Sequence, residues 1–397
     1  MNREFVFERD YSIEDAIKIA KREISRLKFK ISIDIIKLTD DIFTTKSIIK
    51  NTKLSDNLVV GNGKGVGKAS IASSLYELLE HYYSGYESLK RVGSNIKVSY
   101  LIDQNINLKN MQFIKEIEKS KESRIKCVRF FSLFNKNKLF YPNILTHPEK
   151  IKIKNNSHYK FYSSNNGTAI GITFNEALIH SICEVVERDA LSLMYLKNLN
   201  DLELKKVNKN TLPVNIKSIL FSFENKIGKE VEIVDITSDF GIPVYVSYYE
   251  TDILPIIGSG CSIDSNIALK RSLLECIQSF HLYNSETELE DKVVLNKFSH
   301  HQNIVNCLKL KSLSYIIDDY VEVAYDGTNT NDTLKDLSNI IQRNGYEVYY
   351  RIIKKNKNLC CLQTLIPGLE NFQMIRYGLP VLPSKRGVDL MKGLHET

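Results

Sequence analysis

The decapeptide GNGKGVGKAS, Gly61 to Ser70, follows an apolar run and precedes a helical pattern. Its four glycines permit a close backbone approach, and a helix start offers free N–H groups to an anion. The spacing excludes a P-loop, because Asn62 stands where the first glycine of that motif belongs and Ala69 where its Ser or Thr belongs. The dinucleotide pattern G-x-G-x-x-G also fails. The stretch therefore predicts either a glycine-rich connector or a nucleotide-handling loop of another design.

The bulk composition is that of a globular protein, with 397 residues, 43% of them apolar and 25% charged. The net charge is +7, but the 54 basic residues are scattered along the chain and accompanied by 47 acidic residues. A charge this diffuse disfavours a nucleic-acid partner. No apolar run approaches the roughly 18 residues of a membrane span, and the start, MNREFVFERD, has no signal-peptide pattern. The seven cysteines lack C-x-x-C spacing, which indicates reduced thiols. These features predict a cytoplasmic protein that does not associate with membranes.

Alternating patterns predict a mixed α/β protein. The predicted helices cover 12–28, with Ser12 as N-cap, then 69–83, 174–199, 265–283 and about 330–344. The predicted strands lie within 30–60, 94–102, 126–144, 230–236, 242–249, 346–353 and 359–366. Two polar stretches, 147–160 and 285–303, are predicted to be loops. Because no clear linker divides the chain, we expect one domain with an N-terminal lobe (1–60), a central core (61–284) and a C-terminal part (285–397).

Three predicted helices carry charged residues at helical spacing among apolar ones. These residues are Glu77 and Glu80 in the first, Glu176, His180, Glu184, Glu187 and Arg188 in the second, and Arg271, Glu275 and Gln278 in the third. Exposed ion pairs would explain any single helix. The helices are apolar nearly all round, however, so we expect burial, and a buried acid needs a positive partner or a metal. If the helices converge, Mg²⁺ between carboxylates and phosphates would suit them.

These residues resemble the YcaO family in four motifs. The motifs are NGKG with Ser73-x3-Glu77-x2-Glu80, then NGTAIGITFNEALIHSICEVVERDA, then Arg271-x3-Glu275-x2-Gln278, and, more weakly, IPGLE, which together span 62–370. The resemblance implies a YcaO-type α/β fold whose central core binds ATP without a P-loop, with Mg²⁺ held by glutamates of these helices. It also implies a homodimer.

Roles carry over residue by residue from the resemblance. The implied Mg²⁺ ligands are Glu77, Glu80, Glu184 and Glu187. The implied ATP contacts are Lys64, Ser73, Glu176, Arg188, Arg271, Glu275 and Gln278. No residue is assigned as a nucleophile, and His180 is expected to be a core histidine. The sequence departs from the family at His81 and Phe280, where arginine is usual, at Ile172, where asparagine is usual, and in its tail, PVLPSKRGVDLMKGLHET, which is not proline-rich.

The resemblance implies ATP-dependent phosphorylation of the oxygen of a peptide backbone amide after a nucleophile has attacked the amide carbon. The first expectation is a cyclodehydratase that makes thiazoline or oxazoline rings from Cys, Ser or Thr of a ribosomally synthesised precursor peptide, as in bacteriocin maturation. It would work with a separate leader-peptide-binding partner of the ubiquitin-activating type. A thioamide-forming enzyme with a TfuA-type partner is the second expectation. An inactive scaffold is the third, which His81 and Ile172 keep open.

Overall fold

The computed structural model describes residues 7–39, 41–49, 58–89, 93–148, 157–310 and 314–392. The chain divides into two compact units. The first unit comprises Met1–Lys109, Phe113–Val185 and Asp326–Pro367, and the second comprises Asn110–Gln112, Val186–Tyr325 and Gly368–Thr397. The predicted mixed α/β class is confirmed, whereas the predicted division into three consecutive parts stays a prediction. Most of the predicted loop 147–160 lies outside the described residues.

The helices and strands alternate along the chain. The helices are α1 Ile13–Arg26, α2 Ala69–Leu89, α3 Val98–Asp103, α4 Ile106–Lys109, α5 Gln112–Lys119, α6 Phe174–Leu199, α7 Val214–Ile227, α8 Ser265–Leu282, α9 Ser285–Lys297, α10 Gln302–Leu308, α11 Thr330–Arg343 and α12 Lys385–Lys392. The strands are β1 Ile31–Lys37, β2 Ile42–Ile49, β3 Val59–Val66, β4 Ser94–Lys97, β5 Arg124–Ser132, β6 Lys138–Pro142, β7 Thr168–Gly171, β8 Leu204–Asn208, β9 Glu232–Asp235, β10 Val244–Tyr249, β11 Ile256–Cys261, β12 Tyr315–Asp319, β13 Tyr349–Lys355 and β14 Cys360–Leu365.

The first unit contains two antiparallel sheets. One has the order β1-β2-β3, and the other has the order β4-β5-β13-β14-β7 with β6 paired to β5. Helices α1 and α2 share a core with these strands, built from apolar side chains such as Ile24, Ile49, Leu75 and Leu79. As predicted, Ser12 caps α1, because its side chain accepts a hydrogen bond from the Asp15 backbone N–H at 3.2 Å.

The second unit is built on one five-stranded sheet of order β11-β10-β9-β8-β12. Strands β8 and β12 run parallel, and the other neighbouring strands run antiparallel. Helix α8 packs on β10 and β11, and most of its side chains are buried, as its nearly continuous apolar character predicts. Helix α7 ends at Gly228, whose positive φ of 65° suits a glycine C-cap.

Two predicted elements are wrong. Residues 98–103 form helix α3, where a strand over 94–102 was predicted from the β-branched and aromatic residues. Residues 285–297 form helix α9, where a polar loop was predicted. Only Asp291 and Val294 of α9 are buried, so its apolar periodicity is weak. The usable signal was its N-cap, because Asn284 and Thr287 form a capping box.

All seven cysteines are buried as free thiols, in agreement with the predicted absence of disulfides. Within the part of the chain that the structure describes, none of the helices combines the length and the apolar character that a membrane crossing requires. The cytoplasmic location stays a prediction.

Candidate nucleotide- and metal-binding residues

Helix α2 lies directly on strand β3 because two residues of that strand are glycines. A Cβ on Gly61 would lie 2.2 Å from the Ser74 carbonyl oxygen, and a Cβ on Gly63 would lie 1.9 Å from the Ser70 carbonyl oxygen. Any side chain at either position would force the helix away from the strand. Residues 61–66 belong to strand β3, and helix α2 begins at Ala69. The prediction of a glycine-rich loop is wrong here, because these two glycines serve strand–helix packing.

The second unit repeats this arrangement. A Cβ on Gly258 of β11 would lie 2.0 Å from the backbone of α8. In each unit a serine of the neighbouring strand also bonds to a serine of the helix, Ser47 to Ser74 at 2.7 Å and Ser247 to Ser272 at 2.8 Å. We call each set of two antiparallel strands and packed helix a hairpin–helix module. The modules are β2, β3 and α2 in the first unit, and β10, β11 and α8 in the second.

The two modules place the predicted site residues at corresponding helix positions. Gly61 approaches the Ser74 carbonyl and Gly258 approaches the Ser272 carbonyl, so these serines align the two helices. In this alignment Ser73 corresponds to Arg271, Glu77 to Glu275, and Glu80 to Gln278. The first module thus carries two carboxylates, whereas the second carries a guanidinium and an amide beside one carboxylate.

In the first unit, Glu80 lies within electrostatic reach of two other glutamates. Burial, together with the negative charges of Glu184 on α6 and of Glu77, raises the pKa of the Glu80 carboxyl well above its usual value. Like charges that repel in this way favour either a bound proton or a nearby cation. Three of the four predicted Mg²⁺ ligands therefore interact within this unit.

These carboxylates fit Mg²⁺ bound in its usual manner. Among the residues that the structure describes, no three His, Cys, Asp or Glu side chains lie close enough together to hold a metal ion by themselves. Mg²⁺ usually needs no such cage, because it binds through one or two carboxylates, waters and substrate phosphates. The raised pKa of Glu80 agrees with this fit, since a nearby cation would offset both the burial of the carboxylate and its repulsion by Glu184 and Glu77.

The fourth predicted Mg²⁺ ligand, Glu187, belongs to the second unit and has a partner that the sequence analysis missed. Ser259 Oγ donates to Glu187 Oε1 at 2.6 Å. Ser259 lies between Gly258 and Gly260 of β11, as Asn62 lies between two glycines of β3. That repeated G-x-G pattern was the signal that could have revealed Ser259.

Helix α8 supplies hydrogen-bond donors in the second unit. Arg271 Nη1 donates to the Cys261 carbonyl at 2.8 Å, which fixes the guanidinium at the end of β11. Gln278 is 6% exposed, and its Nε2 has no hydrogen-bond partner among the described residues. A buried unpaired donor is unfavourable, so an acceptor supplied by a ligand would suit Gln278.

Glu176, a predicted ATP contact, has both carboxylate oxygens engaged by the protein backbone. The buried side chain accepts from the Asp10 N–H at 2.7 Å and from the Ile172 N–H at 2.8 Å. It therefore ties the N-terminal segment to the start of α6, and its contact with ATP stays a prediction. The other predicted ATP contacts are half-buried on their elements, with Lys64 on β3, Ser73 on α2, Arg188 on α6 and Glu275 on α8.

One of the unusual positions has a structural explanation. The Phe280 ring packs against those of Phe223 and Tyr249, with centroids 5.9 and 6.4 Å apart, so this position is part of an aromatic cluster. Ile172 donates its backbone N–H to Glu176, which does not depend on its side chain, and nothing in the structure explains the isoleucine. The expectation of a core histidine at His180 is wrong, because that residue is exposed.

Comparisons with known proteins agree with this architecture. A protein described as "Uncharacterized protein in tfuA 3'region" from Rhizobium leguminosarum bv. trifolii is 29% identical over 129 residues, 30% of this chain and 31% of its own length. The chain thus matches about a third of the length of the curated relatives. The structure of YcaO from Methanopyrus kandleri bound with AMPPCP and Mg²⁺ has a TM-score of 0.67 at 16% identity, covering 95% of this chain and 96% of that one. A heterocyclase in complex with substrate and cofactor has a TM-score of 0.65 at 18% identity, covering 91% and 53%.

The comparison with family models covers most of the chain. The model described as YcaO cyclodehydratase, ATP- and Mg²⁺-binding, matches residues 62–370, the span over which the four sequence motifs occur. The chain therefore belongs to the YcaO family, for which ATP and Mg²⁺ are the named ligands.

Proposed function

We propose that this chain activates backbone amides of a ribosomally synthesised precursor peptide by ATP-dependent phosphorylation of the amide oxygen, as a cyclodehydratase that forms thiazoline or oxazoline rings. An amide oxygen is a poor leaving group, and phosphorylation makes it a good one. In such a reaction the attacking group is a Cys, Ser or Thr side chain of the peptide. The chain must then position the reactants and offset phosphate charge, which is where binding energy is most effective.

The observation that carries this proposal is the carboxylate group of the first unit. The pKa of Glu80 is raised by burial and by the charges of Glu184 and Glu77, an arrangement that is unfavourable unless a cation or a proton is present. Family membership supplies the identity of the cation and of the nucleotide. The heterocyclase among the structural neighbours, found in complex with substrate and cofactor, supports the choice of reaction.

The residues divide into two roles in this proposal. Glu77, Glu80, Glu184 and Glu187 would hold Mg²⁺, and Ser259 orients Glu187 through its hydrogen bond. Bound ATP with Mg²⁺ supplies the transferable phosphoryl group. Arg188, Arg271 and Gln278 would donate to phosphate oxygens, for which charge-assisted hydrogen bonds are strong. The buried Nε2 of Gln278, which lacks a hydrogen-bond partner among the described residues, agrees with this role.

A thioamide-forming activity is the second candidate, and one observation favours it. The relative from Rhizobium leguminosarum bv. trifolii is described by its position beside tfuA. In this alternative the nucleophile is sulfide, and a TfuA-type protein is the partner. In the first candidate the partner is a leader-peptide-binding protein. A homodimer is proposed for either candidate.

The test is the intact mass of any candidate precursor peptide encoded beside this chain, after co-expression with the chain and the adjacent genes. Loss of one water per modified residue supports azoline formation. Exchange of one oxygen for sulfur supports thioamide formation. An unchanged mass with all neighbouring proteins present favours an inactive scaffold instead.

Two variants separate the site from general effects. Glu187→Gln keeps the size and the hydrogen bond from Ser259 but removes the charge, so it should abolish the mass change. Glu203→Gln makes the same chemical change at an exposed position of the same unit and should leave it intact. Full modification by Glu187→Gln would overturn the metal-ligand assignment.

A further inference from the structure

His81 of α2 stands where the family usually has arginine, and its ring has a defined orientation. The Nδ1 atom lies 2.6 Å from the Val60 carbonyl oxygen of β3. A carbonyl oxygen can only accept a hydrogen bond, so Nδ1 carries the proton and donates. In the neutral ring this leaves the Nε2 atom with a lone pair.

The Nε2 atom of His81 faces a predicted metal ligand. It lies 4.0 Å from Glu77 Oε1, one helical turn earlier on α2. Neither atom carries a hydrogen when the ring is neutral, so this contact is favourable either with a proton on Nε2 or with a cation between the two atoms. Metal–ligand distances of about 2.0–2.2 Å allow one cation to contact two atoms up to roughly 4.2 Å apart. The two side chains are 41% and 31% exposed, so that a cation can reach them from solvent.

We propose that His81 Nε2 is a ligand of the divalent cation that Glu77 binds, and that this nitrogen lets the site accept a transition-metal ion such as Mn²⁺ besides Mg²⁺. The proposal rests on the proposed function, because it takes Glu77 as a metal ligand. Imidazole nitrogen favours first-row transition metals, whereas Mg²⁺ prefers oxygen. An arginine in place of His81 would offer a positive charge and no lone pair.

The proposal leaves the remaining coordination positions to water and to phosphate. This agrees with the absence, among the described side chains, of three potential ligands gathered at metal-binding distance. It also gives His81 a function that its hydrogen bond to Val60 alone does not require, because that bond uses only one of its two ring nitrogens.

The test is electron spin echo spectroscopy of Mn²⁺ bound to the full chain with inorganic triphosphate in place of ATP, so that phosphate oxygens are present and no nucleotide nitrogen contributes. We expect ¹⁴N modulation in the native chain, its loss in His81→Gln and its retention in His300→Gln, which alters an exposed histidine of the second unit. Mn²⁺ should bind His81→Gln roughly tenfold more weakly, whereas the affinity for Mg²⁺, measured by competition, should change less than about twofold.

The variant His81→Gln can still donate to the Val60 carbonyl, and circular dichroism checks that it folds. Bound Mn²⁺ without ¹⁴N modulation, modulation that persists in His81→Gln, or failure of the native chain to bind Mn²⁺ would each overturn the inference. The peptide mass assay is a separate measurement, so a failure of this inference can be told apart from a failure of the proposed function.

Discussion

Replacing Arg386 with alanine should destabilise the second unit strongly, because its guanidinium neutralises a buried carboxylate. Arg386 Nε lies 2.9 Å from Asp189 Oδ1, and Arg386 Nη2 lies 2.9 Å from Asp189 Oδ2. The Asp189 side chain is 0% exposed and the Arg386 side chain 11%. Asp189 Oδ1 also accepts a hydrogen bond from the Glu370 backbone N–H, at 2.7 Å.

The magnitude follows from this geometry. Removing one partner of a buried ion pair costs about 3–5 kcal/mol, since the remaining charge stays desolvated. Burial already raises the pKa of Asp189 despite the positive charge of Arg386, so the loss of Arg386 would favour the protonated form further. The second partner of Arg386, Asp239, is 59% exposed and should add at most about 1 kcal/mol. We therefore expect a loss of about 3–5 kcal/mol at neutral pH, which shrinks as the pH falls.

Equilibrium urea unfolding followed by tyrosine fluorescence measures this loss, since the chain has 21 tyrosines and no tryptophan. Lys385→Ala is the matched control, because it removes an exposed ion pair with Asp389 from the same helix and should cost less than about 0.5 kcal/mol. Adding Asp189→Asn to Arg386→Ala should recover part of the loss. The reasoning is refuted if Arg386→Ala costs less than about 1 kcal/mol, or if the second substitution adds its own full penalty.

Three further outcomes can be measured in the same way. Burial by itself would raise the pKa of Glu23, but hydrogen bonds from Arg26, Tyr83 and two asparagines hold that pKa at about 2. The ionised Glu23 therefore stabilises the fold above its unfolded pKa of 4.5, and this stabilisation is lost as the pH falls toward 2. Glu23→Gln should flatten that part of the acid-unfolding curve. Burial, helped by the charge of Asp189, raises the pKa of Glu370 from 4.5 to about 7, so stability should fall as the pH rises across this interval, and Glu370→Gln should remove that slope. Gly61→Ala should lower the free energy of unfolding by about 1–3 kcal/mol or more, because the new Cβ clashes with α2. Gly85→Ala is the control: it lies within α2 with open space around it and should raise the free energy of unfolding by up to about 1 kcal/mol. Equal effects of the two substitutions on the urea midpoint would contradict the packing argument.

Sequence patterns predicted an element best where the residues that determine its structure lie within that element. The bounds of α6 were predicted as 174–199 and observed as Phe174–Leu199, because its apolar residues repeat over seven turns without a breaker. The Ser12 cap was equally local, since it depends only on residues three apart. The four motifs identified the family through residue types at fixed spacing, and the family model matches the same span.

The helical spacing of the acidic residues showed which of them share a face of one helix, but not what that face meets. Glu176 and Glu184 lie on the same helix, yet the first accepts hydrogen bonds from the backbone N–H groups of Asp10 and Ile172, while the second acts electrostatically on Glu80. Such neighbours come from distant parts of the chain, so no local pattern reports them. The assignments of individual site residues therefore stay predictions.

The sequence by itself determined the mixed α/β class, the positions of the long helices and the absence of a P-loop, because each depends on neighbouring residues. The tertiary structure decided what the glycines do, since the clash of a Cβ on Gly61 with Ser74 exists only once α2 has packed on β3. It also decided the environments of Glu80 and His81, because pKa shifts and hydrogen bonds depend on burial and on partners from other elements.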